Sequence, residues 1–434
     1  MKVIRWLWFI TILILIVVIA ISLGRWLVLL LLVPVFDIFI TRFLNWGLIT
    51  PKVRIRFPLL VNLTLWILVS GFILRIFVID SLSVMNPGMQ PSLERGDHIL
   101  ISKLHYGPRL PITPINFPLS HHYIPFSRCM RSYSSKVELK YRRLGKLKRI
   151  NRGDLVSYNF PEGDSVICGV ETMSYTALKR LKESQGEFVR KDFLHYRPVD
   201  RREMEISRCV ALPGDTIKID QKVVKVNGKE IIDGLIRFDY LVEIEDGQLP
   251  RSFLNQLGLE QSDITIFPDL GYALPLFPDQ VQTISSRPQV KSVTPYTQSP
   301  GKGNLQIFPH SSDYLWNRDN FGPVIIPRKG MTVKLSVANL PFYDRIIRIY
   351  EKSTIKVADG VIFIDGIATN EYVVKQNYFF VMGDNRHHSR DSRHWGFLPE
   401  DHIIGKPLFI WLSLRHDTIN GFKLVWNRFF KLPK

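Results

Sequence analysis

Cysteine is scarce in this chain: three in 434 residues, at Cys129, Cys168 and Cys209. No CxxC pair and no Cys/His cluster accompanies them, which argues against a zinc site. Three thiols allow at most one internal disulfide. Cys209 sits in a hydrophobic strand-like run and reads as a core residue, with no His or Lys placed to lower its pKa and make it a nucleophile. Acidic residues are also in deficit, with 39 Asp and Glu against 57 Lys and Arg, for a net charge of +18. There is no internal repeat and no low-complexity segment, so neither a solenoid nor a disordered scaffold is indicated.

What the chain has in plenty is apolar sequence, and it is unevenly placed. Trp6 to Gly24 is an uncharged run of 19 residues, the length a helix needs to cross ~30 Å of hydrocarbon. Trp26 to Ile40 is a second run, broken by Asp37, and Leu59 to Ile79 a third, with Arg75 near its end. Three transmembrane helices are expected, at about 6–24, 26–41 and 59–79, the first two as a hairpin. A cleavable signal peptide is the rival reading of the first run, but its apolar core is too long and a second run follows at once. Arg42, Lys52, Arg54 and Arg56 lie between the second and third runs. The positive-inside rule therefore puts that loop in the cytoplasm and everything after about residue 80 in the periplasm, against only Arg25. Arg75 is close enough to the outer boundary to snorkel. Arg128 to Arg152 holds ten Lys/Arg and one acidic residue, Glu138. On a protein tethered outside the cytoplasm this favours anionic lipid or an acidic partner over nucleic acid, with a solvated basic loop as the alternative.

From residue 80 onward, short β-like runs alternate with turn signals. Examples are 98–104, 154–160, 205–212, 215–220 and 222–231, and a similar series over 354–374. Asn227-Gly228, Asp359-Gly360 and Asp365-Gly366 are hairpin turns whose residues tolerate positive φ. Residues 402–414 are too short and polar to span a membrane and fit a closing strand. The fold class expected is mostly β: an antiparallel core over 81–231 and 331–415. It is interrupted by a small insertion at 162–200, with helical spacing over 171–193, and by a long Pro-rich insert at 232–330 that reads as a lid or subdomain. A tail follows at 416–434.

Two segments carry the most information. "VMGDNRHHSRDSRHWGFLPEDHIIGKP" (381–407) packs Asp384, Arg386, Ser389, Asp391, Ser392 and Arg393 into ten residues. So many opposite charges imply a hydrogen-bonded network that holds a rigid bend, its carboxylates paired with arginine. His387, His388 and His394 are a weak metal signal on such a loop, and no metal is expected. "SVMNPGMQPSLERGDHILISK" (83–103) joins a turn, a Met-x-Pro-Ser-Leu core and a Gly-Asp pair to a strand-like run.

These segments resemble bacterial signal peptidase I, the membrane-anchored serine peptidase, in its long-insert Gram-negative form. "GDNRHHSRDSRHWG" is similar to the family box G-D-N-R-x-x-S-x-D-S-R-x-W-G. "MQPSLERGD" is similar to S-M-x-P-T-L-x-x-G-D, "RGDLVSYNF" to G-D-I-V-V-F, and "EISRCVALPGDTI" to Y-I-K-R-x-V-G-L-P-G-D. The resemblance implies a coiled antiparallel β domain with N-terminal transmembrane anchors in the bacterial inner membrane and its main domain in the periplasm. It implies no cofactor and a Ser/Lys dyad: a serine nucleophile, a neutral lysine as general base, and an oxyanion hole.

Carried over residue by residue, the dyad is missing. The serine directly precedes the box methionine; here Gly88 precedes Met89, with the spacing to Pro91, Leu93, Gly96 and Asp97 kept. The lysine directly precedes the arginine of the second box; here Ser207 precedes Arg208. Asn86 stands at the position linked to the oxyanion hole, so Asn86, Met89 and Pro91 mark the former cleft. Ser389, which in the family helps orient the lysine, has nothing to orient. A paired loss on a kept scaffold implies a non-catalytic protein that binds signal peptide or preprotein, an active peptidase paralogue or the Sec translocon. The alternative is an active signal peptidase with a relocated nucleophile: Ser83 is the candidate, Ser92 a second, and either needs a base, for which Lys103 and Lys218 are poorly placed. A purely structural subunit that docks through the 232–330 insert is a third possibility. Pro87-Gly88 suits a type II turn with Gly88 at positive φ.

Overall fold

The computed structural model describes Trp6, Leu13, Ile16 and residues 70–433, apart from Phe72 and residues 117–121, 124–129, 169–172, 184–193, 232–235, 246–248, 260–262, 268–270 and 418–420. The expected transmembrane runs at 6–24, 26–41 and 59–79 lie almost wholly outside the described residues; the third enters them at Ser70 and is helical to Phe77. Among the described residues no helix is long and apolar enough to cross a membrane.

The described residues divide into two compact units. One draws on the chain up to Asp80 with Ser102–Lys148 and Glu162–Glu203; the other on Ser81–Ile101, Arg149–Pro161 and Met204 onward. In the first unit the ends of the small insertion meet as a two-stranded sheet, Ser165–Ile167 with Leu194–Tyr196, and a helix runs over Tyr175–Glu183. Arg180 reaches Glu162 through two hydrogen bonds of 2.7 and 2.8 Å. The basic stretch after Lys136 is largely exposed, and Leu144 and Leu147 are exposed with it. Cys168 is disulfide-bonded, while Cys209 is a buried thiol in a strand of the second unit.

The second unit is built on a curled eight-stranded sheet. Its strands are β1 (Ile79–Ser83), β2 (Asp97–Ser102), β3 (Leu155–Asn159), β4 (Met204–Ala211), β5 (Tyr378–Met382), β6 (Leu398–Pro399), β7 (Ile403–Asp417) and β8 (Gly421–Leu424). The order is β1-β2-β7-β3-β4-β5-β6, with β8 paired to β7. The pairs β7–β3, β3–β4 and β4–β5 are antiparallel. Val, Ile and aromatic residues dominate these strands, as half-buried and buried sheet faces require. The closing strand expected at 402–414 is β7, and β3 and β4 fall on the runs expected there. Leu155, Ile206 and Ile410 from three strands, with Met89, Leu93 and Ile99, make one buried cluster, on which Leu82 and Val84 also pack. A larger cluster joins Val210, Ile217, Phe321, Phe380 and Phe397. The three expected turns form as read: Asn227-Gly228, Asp359-Gly360 and Asp365-Gly366 all take positive φ. Within the long insert, a four-stranded sheet (Phe238–Ile244, Thr265–Phe267, Gly271–Leu276, Val290–Pro295) closes over its own core of Val242, Leu254, Leu274, Leu276 and Ile284.

Candidate functional site

The turn between β1 and β2 carries Gly88, where the resemblance leads one to expect a serine. Asn86 is exposed and extended, with φ −100° and ψ 146°, and Pro87–Met89 forms a single 3₁₀ turn. Gly88 does not take the left-handed conformation, so the expected type II turn is corrected. Pro87 permits either turn, since its missing N–H has no partner at the start of a helical turn, and the burial of Met89 and Leu93 selects the 3₁₀ one. That turn directs Met89 into the buried cluster beside Leu93. The Leu93 N–H then bonds the Met89 carbonyl at 2.9 Å. Pro91 is half-buried.

Gly88 faces Ser389. A Cβ added to Gly88 would stand 3.2 Å from Ser389 Oγ and 3.3 Å from its Cα and Cβ. The loop after β5 is therefore folded down on the turn. Asn385 N–H donates to the Gly88 carbonyl (3.0 Å) and the Asn385 side chain to the Pro87 carbonyl (3.3 Å). Gly383 completes the contact, since a Cβ there would overlap both Ser389 Oγ and the Gly88 carbonyl.

Ser207 lies on β4, opposite Val156 of β3, and the 3₁₀ turn packs alongside that strand. Its side chain is buried and its Oγ is 2.9 Å from the hydroxyl of Tyr158, also on β3. Burial, reinforced by the charge of Glu205, holds the Tyr158 hydroxyl well above its ordinary pKa, while the bond from Ser207 opposes the shift. Two neutral hydroxyls thus satisfy each other at Ser207, where the resemblance leads one to expect a lysine, and neither takes up a proton near neutral pH. Tyr158 is a residue that the sequence reading missed: in a strand of alternating apolar residues it reads as core.

Around these positions the network expected from sequence is present as geometry. Arg208 grips Asp384 through two bonds of 2.7 and 2.6 Å, and Ser92 donates to the same carboxylate. Arg393 pairs with Asp391, which also accepts the Gly383 N–H at 3.0 Å. Burial alone would raise the Asp391 carboxyl, but Arg393 and these N–H donors hold it below its usual pKa. Arg386 is buried, with Nη1 3.3 Å from Met382 Sδ. The same device recurs at every Gly-Asp pair of the four boxes. Asp97 is held by Arg428, Asp154 by Lys406, Asp215 by Arg152 and Asp384 by Arg208. Nothing in the sequence pattern pointed to Arg428, which arrives from the C-terminal tail.

The other candidates are placed as follows. Ser83 Oγ is 2.7 Å from Nδ1 of His98, a partner that sequence spacing concealed because it sits on the neighbouring strand. The His98 ring lies 5.7 Å from that of Trp411. Ser83 faces away from the side on which Leu82 and Val84 meet Met89, as strand alternation requires. Ser92 is committed to Asp384. Lys103, in the first unit, pairs with Asp80 at 2.8 Å, and Lys218 is exposed beside Asp220. His387 accepts the Asp239 N–H on Nδ1, so Nε2 carries the proton and bonds Asp319 at 2.8 Å. His388 bonds Asp239 at 2.9 Å. The two histidines thus stitch the loop to the long insert, and among the described residues no His/Cys/Asp/Glu group forms a metal cage.

The model of the family described as "Signal peptidase, peptidase S26" matches residues 58–249 and 335–412, more than half of the chain. The chain belongs to the signal peptidase S26 family. Both dyad positions and the loop after β5 fall inside the matched segments, and the gap between them falls mainly in the long insert. Over 73 residues the chain is 46% identical to "Signal peptidase I" of Haemophilus influenzae, covering 16% of this chain and 20% of that one. It is 28% identical over 148 residues to the protein of that name from Buchnera aphidicola subsp. Schizaphis graminum, covering 31% and 46%. It is 21% identical over 360 residues to that of Buchnera aphidicola subsp. Acyrthosiphon pisum, covering 80% and 72%. The first two matches thus span less than half the length of those relatives.

Proposed function

We propose that this member of the signal peptidase family is a membrane-anchored, non-catalytic protein of the periplasmic face, which binds segments of exported preproteins without cutting them. The observation that carries the reading is the state of the dyad positions. Gly88 offers no nucleophile and its Cα is covered by Ser389, while Ser207 is occupied by Tyr158. Loss of both members of such a pair leaves only binding and oxyanion effects, several orders of magnitude below an intact enzyme. An extended peptide would be held by strand addition beside the turn, with the apolar N-terminal runs as anchor. Its binding partners would be a signal peptide, an active paralogue or the Sec translocon.

The test is a cleavage assay of the full chain in detergent on a preprotein with an Ala-x-Ala site. No product is expected, and turnover that disappears with Ser83→Ala would overturn the reading. The double change Gly88→Ser with Ser207→Lys should restore at most slow cleavage, because Ser389 must give by a few tenths of an ångström to admit the new Cβ.

A second reading has one observation in its favour. The Ser83–His98 hydrogen bond is the geometry of a nucleophile with an adjacent base. Under that reading Ser83→Ala and His98→Gln each abolish cleavage, and the chain rescues a strain depleted of its own signal peptidase.

A further inference from the structure

A pocket of about 200 Å³ opens beside the 3₁₀ turn, lined by Gln90, Pro91, Glu94, Arg237, Gly258, Leu259 and Arg415. Arg237 is its unusual member. It is 5% exposed, its Nε is buried with no hydrogen-bond partner, and no carboxylate among the described residues forms an ion pair with it. Its Cζ lies over the ring of Phe277, 4.5 Å from the ring centre. Arg237 and Gly258 both line the pocket, and a Cβ added to Gly258 would stand 3.7 Å from Nη2, in ordinary contact.

The charges nearby are otherwise matched. Arg428 holds Asp97 and Glu94, Arg415 also pairs with Glu94, and Arg95 stands 3.4 Å from Asp263. Three arginines thus meet three carboxylates, and the fourth, Arg237, has no carboxylate in contact among the described residues. Burial lowers its pKa, with only the more distant charge of Asp263 opposing. A buried, uncompensated guanidinium costs stability and is retained where it meets an anion. Its backbone is fixed: the Arg237 N–H bonds the Asp384 carbonyl, and its own carbonyl accepts the Arg386 N–H, both at 3.0 Å.

We propose that this pocket binds a carboxylate group carried on a short apolar stem. The planar carboxylate pairs with the guanidinium of Arg237 in charge-assisted hydrogen bonds, and Pro91 and Leu259 supply the apolar wall for the stem. The volume suits a group of a few carbons. The site does not depend on whether the neighbouring turn cuts peptides.

Calorimetric titration of the full chain in detergent tests it, with butyrate, butyramide and inorganic sulfate as probes. Butyrate should bind saturably and at least tenfold more tightly than either of the others. Arg237→Met should weaken butyrate at least tenfold without lowering the unfolding temperature. Equal binding of butyramide or sulfate, no saturable butyrate binding, or undiminished binding by folded R237M would each overturn the proposal. The three-probe comparison on the unsubstituted chain decides it if R237M fails to fold. A tripeptide acid that displaces butyrate while its C-terminal amide does not would make the ligand a chain end. An acid that fails to displace it would make the ligand a free small acid.

Discussion

At the scale of single residues, the family boxes are a set of glycines and acids whose partners come from elsewhere in the chain. Gly96 shows why the glycine is required. It holds φ +87°, and a Cβ there would collide with the Leu414 carbonyl on β7. The following Asp97 can then sit fully buried against Arg428 and Ser413. Arg208 and Asp384 repeat the arrangement at the site itself. Arg208→Met should destabilise the second unit by roughly 3–5 kcal/mol, because it strands a buried carboxylate that retains only Ser92. Chemical denaturation reads this directly. An unchanged midpoint would mean that the Asp384 carboxylate is rehydrated at little cost. The box spacings made Gly88 and Ser207 legible from the sequence as the substituted positions. The contacts that these two residues make were not legible, because Ser389 and Tyr158 stand 301 and 49 positions away from them.

At the scale of elements, β7 is the longest strand described and joins β2, β3 and β8 in one sheet. It pairs with β3 on one side, lies next to β2 on the other, and continues into a hairpin with β8. The tail then folds back along it, with Phe430 N–H bonding the Ile410 carbonyl and Ile410 N–H the Lys431 carbonyl. Sequence placed this strand and left residues 416–434 as a tail, since a short run of aromatics and lysines has no period to read. Truncation after Val425 removes Arg428 from both Asp97 and Glu94. It should cost about 3–5 kcal/mol by the same uncompensated-charge argument. A thermal melt of the truncated chain that matches the full chain would show that the tail is only packed, not clasped. The 3₁₀ turn was misread for a related reason. Pro-Gly specifies a turn, but the choice between type II and 3₁₀ was made by Met89 and Leu93, which the cluster behind the turn draws inward.

For the whole molecule, stability should respond to pH through His394. Burial depresses its pKa to about 4, with Asp391 opposing the shift. The folded value lies below the ordinary value of 6.5, so the unfolded chain binds the proton first and acid favours unfolding. The associated stability is fully present above about pH 6.5 and is lost as pH falls toward 4. The total is at most about 3.5 kcal/mol, from ~1.4 kcal/mol per pKa unit over the shift from 6.5 to about 4. Urea midpoints across that window should fall for the unsubstituted chain and stay flatter for His394→Phe. Parallel slopes would assign the acid sensitivity to other groups. The depressed carboxyls of Asp239, Asp319 and Asp391 act further down, below the ordinary carboxylate pKa.

The sequence by itself determined the family, the mostly β class, the hairpin turns and the absence of serine at 88 and lysine at 207. Each of these is written in local spacing and residue type, which survive without knowledge of the fold. Tertiary structure alone decided that Ser389 covers Gly88, that Tyr158 occupies Ser207, that His98 meets Ser83, and that Arg237 is buried with no carboxylate in contact among the described residues. Those facts depend on which strands lie side by side. Strand order is set by the burial of whole faces, and no window of the sequence records it.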